Sequence, residues 1–346
     1  MLDLREAQAL WEPAGPYLNT ASFGLPPRPA WDALQAALED WRGGHTSWEP
    51  WCEATERSRE LFARLAGVRL EQVAVAASVS YLVGLIAASV PDGAHVVAPE
   101  IDFSSLVWPF LAQAYRGVEV RTVSLGRLAD AVDERTDVVA FSAVQSATGE
   151  VADLEAVEKA AREHGALTVV DATHACGWLP LDASRFDAVA CTAYKWLMSP
   201  RGTAFLALGE RLVDRVRPLA PNWYAGEDPF GTFYGPSLRL AETARRLDLS
   251  PAWFSWVGTA PALEVISEIG VEAIHAHDVA LANRFRTGLG LPTSDSAIVT
   301  ADVPGAAEKL ERARIRAATR AGSLRASFHV YNTEGDVDAA LSALLG

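Results

Sequence analysis

The chain has 346 residues, half of them apolar and 21% charged, the composition of a globular protein long enough for one large domain and a smaller one. Its formal net charge of −14 argues against a general nucleic-acid or anionic-membrane binder, since either needs a basic face.

The N-terminal "MLDLREAQALWEP" is acidic and amphipathic, unlike a signal peptide. "GLPPRPAW" reads as a turn leading into a helix. Apolar runs then alternate with amphipathic helical stretches. The runs are "VAVAA" (73–77), "HVVAP" (95–99), "VEVRTV" (118–123), "DVVAFSAV" (137–144), "LTVVDA" (167–172), "DAVACTA" (187–193) and "TAFLAL" (203–208). "VAVAASVSYLVGLIAASV" comes nearest to a membrane span, but Ser78, Ser80 and Gly84 interrupt it. Between the runs lie helices such as "DLEAVEKAAREHG", with Gly165 as its C-cap. This alternation predicts an α/β domain with a mostly parallel sheet. From about residue 255 long helices take over, followed by short strands and a last helix, which predicts a small α+β domain. Cys52, Cys176 and Cys191 form neither a C-x-x-C pair nor a zinc-like spacing, so no metal is expected and a reducing cytoplasm fits.

Three strand ends carry candidate chemistry. Ser78 stands between an apolar strand and a helix, which taken alone reads first as a plain serine N-cap and second as an anion site made by free N–H groups and a hydroxyl. Asp171 ends a buried-looking strand with His174 three residues on. A buried carboxylate is costly unless a cation or strong donors meet it, although a turn-capping aspartate reads the same way. Lys195, in "CTAYKWLMSPRG", is one of three lysines beside 27 arginines. Lys159 has Glu155 four residues before it and Lys309 follows Glu308, but Lys195 has no acid nearby in sequence. Burial would let its amine shed a proton, which a guanidinium cannot do; the alternative is a snorkelling lysine at a sheet edge. No G-x-G-x-x-G or G-x-x-x-x-G-K-[ST] occurs. An anion site, a buried carboxylate and a buried amine together suit pyridoxal 5'-phosphate.

With "DATHACG", "CTAYKWLMSPRG", "YLNTASFGLPP", "EIDFSSLVWPF", "SAVQSATGEV" and "SLRASFHVYNTEGDVDAAL" in this order, the chain resembles the class V aminotransferase superfamily, nearly end to end. That group includes cysteine desulfurases, isopenicillin N epimerase-like proteins, kynureninases and ergothioneine-type C–S lyases. The resemblance implies fold type I, a seven-stranded, mostly parallel sheet in a large domain (16–254), and a small domain from both chain ends (1–15 and 255–346). It implies that Lys195 is the Schiff-base lysine, that Asp171 pairs with the pyridine nitrogen, and that His174 contacts the phenolic oxygen. Ser78, the Val79 backbone, Thr192 and Tyr194 would hold the phosphate, and Phe103 would stack on the ring. Ser146 falls where the family has asparagine or glutamine beside the ring, so Gln145 is a substitute there and a substrate contact. Arg325 matches the arginine that clamps the substrate carboxylate. Ser250 aligns with an element that reaches the phosphate of a partner subunit, which implies a homodimer with shared active sites.

Desulfurases of this family carry a nucleophilic cysteine on a loop before the C-terminal signature. Here Arg320-Ala321-Gly322 runs straight to Ser323 and Leu324, so that route lacks its thiolate. The expected function is an enzyme acting on a small amino-acid substrate, first an aminotransferase and alternatively a β-eliminating C–S lyase. Epimerase or desulfurase activity and an inactive cofactor-binding protein rank behind. The tryptophans of "TSWEPWCEA", "SPAWFSWVG" and "PNWYAGEDPFGTFYG" read as packing residues before they read as a substrate entrance.

Overall fold

A computed structural model of the chain describes residues 2–231 and 233–346; Met1, and Thr232 of the aromatic segment 221–235, lie outside the described residues. The seven apolar runs form the seven strands of one sheet. In chain order the first half comprises α1 (Leu4–Gln8), α2 (Arg28–Gly43), α3 (Glu49–Ala66), β1 (Val73–Ala76), α4 (Val79–Ala87), β2 (His95–Pro99), α5 (Ser104–Leu111), β3 (Glu119–Val123) and β4 (Val138–Ser142). There follow α6 (Leu154–His164), β5 (Leu167–Asp171), β6 (Ala188–Thr192), β7 (Ala204–Leu208), α7 (Glu210–Val213), α8 (Trp253–Ile269) and α9 (Val271–Gly288). The C-terminal part is β8 (Ile298–Ala301), α10 (Ala306–Arg312), β9 (Ala318–Arg320), β10 (Ser323–Ser327) and α11 (Glu334–Leu345).

The large sheet has the order β1-β7-β6-β5-β4-β2-β3. Only β7 runs against its neighbours, β1 and β6. Strands β1, β4, β5, β6 and β7 are buried along their whole length because helices cover both faces. Alternate residues sort to opposite sides: Val75, Val97, Val139 and Phe141 join one apolar cluster, and Ala74, Val96, Val138 and Ala140 join the other. On the first side Phe62 of α3 stacks on Phe205 of β7 at 4.3 Å, with Trp256 of α8 edge-on at 5.3 Å. β3 is the half-exposed edge, and charged Glu119 and Arg121 discourage further pairing there. The strand order reverses direction between β2 and β4, and ligands bind in the crevice at the carboxyl ends next to such a point.

The second sheet is antiparallel, β8-β10-β9. Phe285 of α9 packs against Phe328 just beyond β10. The N-terminal segment joins this sheet through bridges from Tyr17 to Arg316 and from Asn19 to Ser327. β9 and β10 are joined by Ala321 and Gly322 alone, both at positive φ, as a tight hairpin requires. Among the described residues no helix is long and apolar enough to cross a membrane.

Candidate active site

Lys195 sits in a tight turn beyond β6. Ala193 N–H bonds to Thr203 O (3.0 Å), Met198 N–H to Lys195 O (3.0 Å), and Ser199 N–H to Ala193 O (3.0 Å). Met198 takes a left-handed φ of 53°, unusual for a side-chain-bearing residue. The turn is clamped from the C-terminal signature. Trp196 Nε1–H donates to Phe328 O (3.0 Å), and His329 Nε2 lies 2.9 Å from Trp196 O. The other ring nitrogen of His329 faces the buried Asp278 at 3.2 Å.

Lys195 is only 6% exposed. Its Nζ lies 2.9 Å from His174 Nε2, 5.7 Å from the Phe103 ring centre and 5.8 Å from that of Tyr194. Burial is the largest influence on the amine and lowers its pKa to about 7; Asp171 pulls it up and Arg325 pushes it down. Asp171 ends β5, deeply buried, and Thr173 N–H donates to its Oδ1 (2.8 Å). Burial raises its pKa, opposed by that hydrogen bond and by Lys195. His174 is held well below the ordinary histidine value by burial and then by the charge on Lys195. The acid, the imidazole and the amine thus form one contiguous group of buried ionisable side chains.

Arg325, 1% exposed on β10, reaches toward the same group. Its Nη1 donates to Ser146 O (2.6 Å) and Ser146 Oγ (3.3 Å), and Nη2 to Ser22 Oγ (3.0 Å), while Nε is buried without a partner. Gln145 is fully buried, and its Nε2 donates to Asp102 Oδ2 (3.0 Å). A carboxylate accepts only, which fixes the amide orientation and leaves Oε1 as a buried acceptor without a partner. Asp102 also takes Ser142 N–H (2.8 Å) and Ser142 Oγ–H (2.5 Å), tying the β2 and β4 ends together.

Ser78 is the N-cap of α4, accepting from Tyr81 N–H at 3.4 Å, and Ser80 Oγ lies 3.2 Å away. Val79 opens the helix beside it, where the first N–H groups have no intrahelical partner. Thr192 closes β6 on the same end of the sheet; its hydroxyl donates to Thr203 O (3.2 Å). Tyr194 packs on Phe23 at 5.4 Å and under the Arg201 guanidinium at 5.0 Å. Ser250 stands on an exposed loop, accepting from Trp223 Nε1–H at 3.2 Å. The structure therefore gathers Lys195, Asp171, His174, Phe103, Tyr194 and Arg325, with Ser146 and Gln145 attached through Arg325 and Asp102. Asp102, Ser22, Arg320, Asp278 and His329 carry no role in the sequence pattern. Asp102, Ser22 and His329 lie inside the motifs named above, and their contacts arise only on folding.

Residues 17–300 match the family model described as aminotransferase class-V. The isopenicillin N epimerase of Streptomyces clavuligerus is 30% identical over 404 aligned positions, covering 99% of each chain. An uncharacterized aminotransferase, YcbU of Bacillus subtilis, is 27% identical over 86% of this chain and 85% of its own. Among solved structures, the cystine C–S lyase C-DES superposes with a TM-score of 0.85 at 22% identity, over 95% of this chain and 96% of that one. A cysteine desulfurase from Thermococcus onnurineus does so at 0.83 and 22%, over 95% and 93%; both likenesses speak for the fold. The chain belongs to the class V aminotransferase family, with fold type I architecture and pyridoxal 5'-phosphate as its cofactor.

Proposed function

We propose that the protein is an aminotransferase that works on an amino acid at the Lys195 site. The observation that carries this reading is the buried Lys195 amine, 2.9 Å from His174 and held near pKa 7 by burial beside Asp171. The side chains fit the cofactor. The α4 N-terminus offers Ser78 and the Val79 N–H to a phosphate, with Thr192 and Tyr194 beside it. Asp171 would pair with the pyridine nitrogen, His174 would contact the phenolic oxygen, and Phe103 would stack on the ring. The buried acceptor of Gln145 and the free Nε of Arg325 await polar partners that the folded chain does not supply.

When bound, the cofactor supplies an electron sink for negative charge developing at the substrate Cα. Lys195 would hold the cofactor through Nζ and would serve as the base for the substrate Cα proton; a pKa near 7 suits a base at neutral pH. Arg325 holds the substrate carboxylate by its fork of donors. Ser250, exposed and next to Trp223, is offered to the phosphate of a second subunit, so a homodimer in the cytoplasm is part of the proposal.

A β-eliminating C–S lyase is the second reading. The two-residue hairpin at Ala321–Gly322 leaves no room for a cysteine-bearing loop, and all three cysteines are buried. Product analysis separates the two. Transamination releases more than one equivalent of keto acid per site only when an α-keto acceptor is present, and no ammonia, whereas elimination turns over to a keto acid and ammonia without one. Borohydride reduction and peptide mapping test the anchor: the label belongs on the peptide bearing Lys195, and a label elsewhere or none overturns the reading.

A further inference from the structure

The register of the small sheet puts two arginines side by side. Arg325 pairs with Ala318 and Arg320 with Ser323, so the two-residue repeat of a strand places both guanidinium-bearing side chains on one face. They converge on one hydroxyl. Ser22 Oγ accepts from Arg325 Nη2 at 3.0 Å and from Arg320 Nη2 at 3.2 Å, which occupies both of its lone pairs. The remaining protein contacts are neutral: Arg320 Nη1 donates to Thr319 O (2.9 Å), and Arg325 Nη1 to Ser146 O and Oγ. Among the described residues neither guanidinium meets a carboxylate, and Arg325 keeps a buried Nε without any partner. Both charges also reach the catalytic group, since each pushes the pKa values of Lys195 and His174 downward.

Two guanidiniums that donate to one hydroxyl, Arg325 buried and Arg320 exposed, repel each other, and an anion shared between them relieves that repulsion. One carboxylate on Arg325 would leave Arg320 uncompensated. Arg320 is also held in place: it ends β9, and the Ala321–Gly322 turn, with Ala321 at φ 49°, allows the hairpin tip no slack. We infer that the substrate is an amino acid with a second carboxylate, its α-carboxylate on Arg325 and its distal carboxylate on Arg320. The Ser22 hydroxyl, accepting from both arginines, keeps its O–H to donate to one of the two anions. The inference rests on the reading of the Lys195 site as an amino-acid site, and it narrows the substrate class.

The test uses the holoenzyme and the visible absorbance of its bound cofactor. L-Aspartate, L-glutamate and L-2-aminoadipate are titrated beside their uncharged counterparts, L-asparagine, L-glutamine and L-norleucine. In at least one pair the acid is expected to bind at least about tenfold more tightly than its counterpart. Arg320→Gln, an exposed position, is expected to bring that ratio close to one, and Ser22→Ala to lower it part of the way. Amino acids that bind with no preference for the acid, or a preference that survives Arg320→Gln, overturn this inference and leave the amino-acid site standing. If none of the six perturbs the absorbance, the amino-acid reading itself falls, and this inference with it.

Discussion

A Cβ built on Gly24 would lie 2.0 Å from the carbonyl oxygen of Lys195. The two segments touch through their backbones, and Gly24 N–H donates to Tyr194 O at 2.9 Å. Because the contact is backbone on backbone, no side chain can rotate away to admit a methyl group. Gly24→Ala is therefore expected to move the lysine turn, at a cost of about 1–3 kcal/mol of overpacking. A shift of the amine by an ångström lowers turnover about a hundredfold. Turnover and melting temperature measured together check this; wild-type turnover in Gly24→Ala would mean the turn does not depend on the close approach.

The Lys195 amine should titrate near neutrality. Burial lowers its pKa to about 7, so an acylating reagent applied to the apoprotein at graded pH should label it with a midpoint close to 7. A curve that rises only near pH 10 would show an ordinary, solvated amine. The stability consequence has a definite sign. Between pH 7 and the ordinary lysine value the unfolded chain binds the proton and the folded chain does not, so this group makes the apoprotein more stable as pH rises through that window. Urea melts at pH 7 and pH 9, compared with the same pair for Lys195→Met, isolate its share.

The framework was legible because its signals are local. All seven apolar runs became strands; all but the half-exposed edge β3 lie in the buried sheet, where strands covered on both faces must be largely apolar. Gly165 caps its helix in the left-handed conformation, as its position suggested. Lys159 was only half legible: it stands 4.0 Å from Glu163 rather than pairing with Glu155, because the helix offers acids on both sides and sequence does not choose between them. Lys195, Asp171, His174 and Arg325 stood out by residue type and motif. Asp102, Ser22 and His329 did not, because each acts through partners 40 or more residues away in sequence. The tryptophans divide. Trp51 and Trp256 are buried packing residues, whereas Trp48 and Trp223 gather with the exposed Phe230 and Phe233.

Arg325→Lys keeps the positive charge and removes the fork. The ammonium cannot reach Ser146 O, Ser146 Oγ and Ser22 Oγ together while also meeting a carboxylate in a bidentate pair. A lost charge-assisted hydrogen bond is worth about 1.5–3 kcal/mol, which corresponds to a KM raised by roughly ten- to a hundredfold. Borohydride labelling of Lys195 should be unaffected, because the cofactor anchor is a separate group. A KM within twofold of wild type would remove Arg325 from substrate recognition.

A buried ion pair supports the strand that leads to Ser78. Arg59 of α3 is 2% exposed and donates to both oxygens of the fully buried Asp248, at 3.1 and 2.5 Å, and to Val73 O at 2.7 Å. Asp248 Oδ1 accepts from Val75 N–H (2.8 Å), and Leu249 N–H bonds to Val75 O (3.1 Å). This pair thus seals the outer edge of β1, the strand that delivers Ser78, and fixes the segment leading to Ser250. Removing Arg59 strands the buried Asp248, so Arg59→Met should cost about 3–5 kcal/mol, whereas Asp248→Leu leaves Arg59 paired with Glu56 (3.1 Å) and should cost less. Removing both eliminates the uncompensated charge, and the double variant should recover part of that loss despite carrying two changes. Denaturant melts of the three variants measure the coupling. Additive losses would show that the two side chains act independently and that the edge of β1 is held by other contacts.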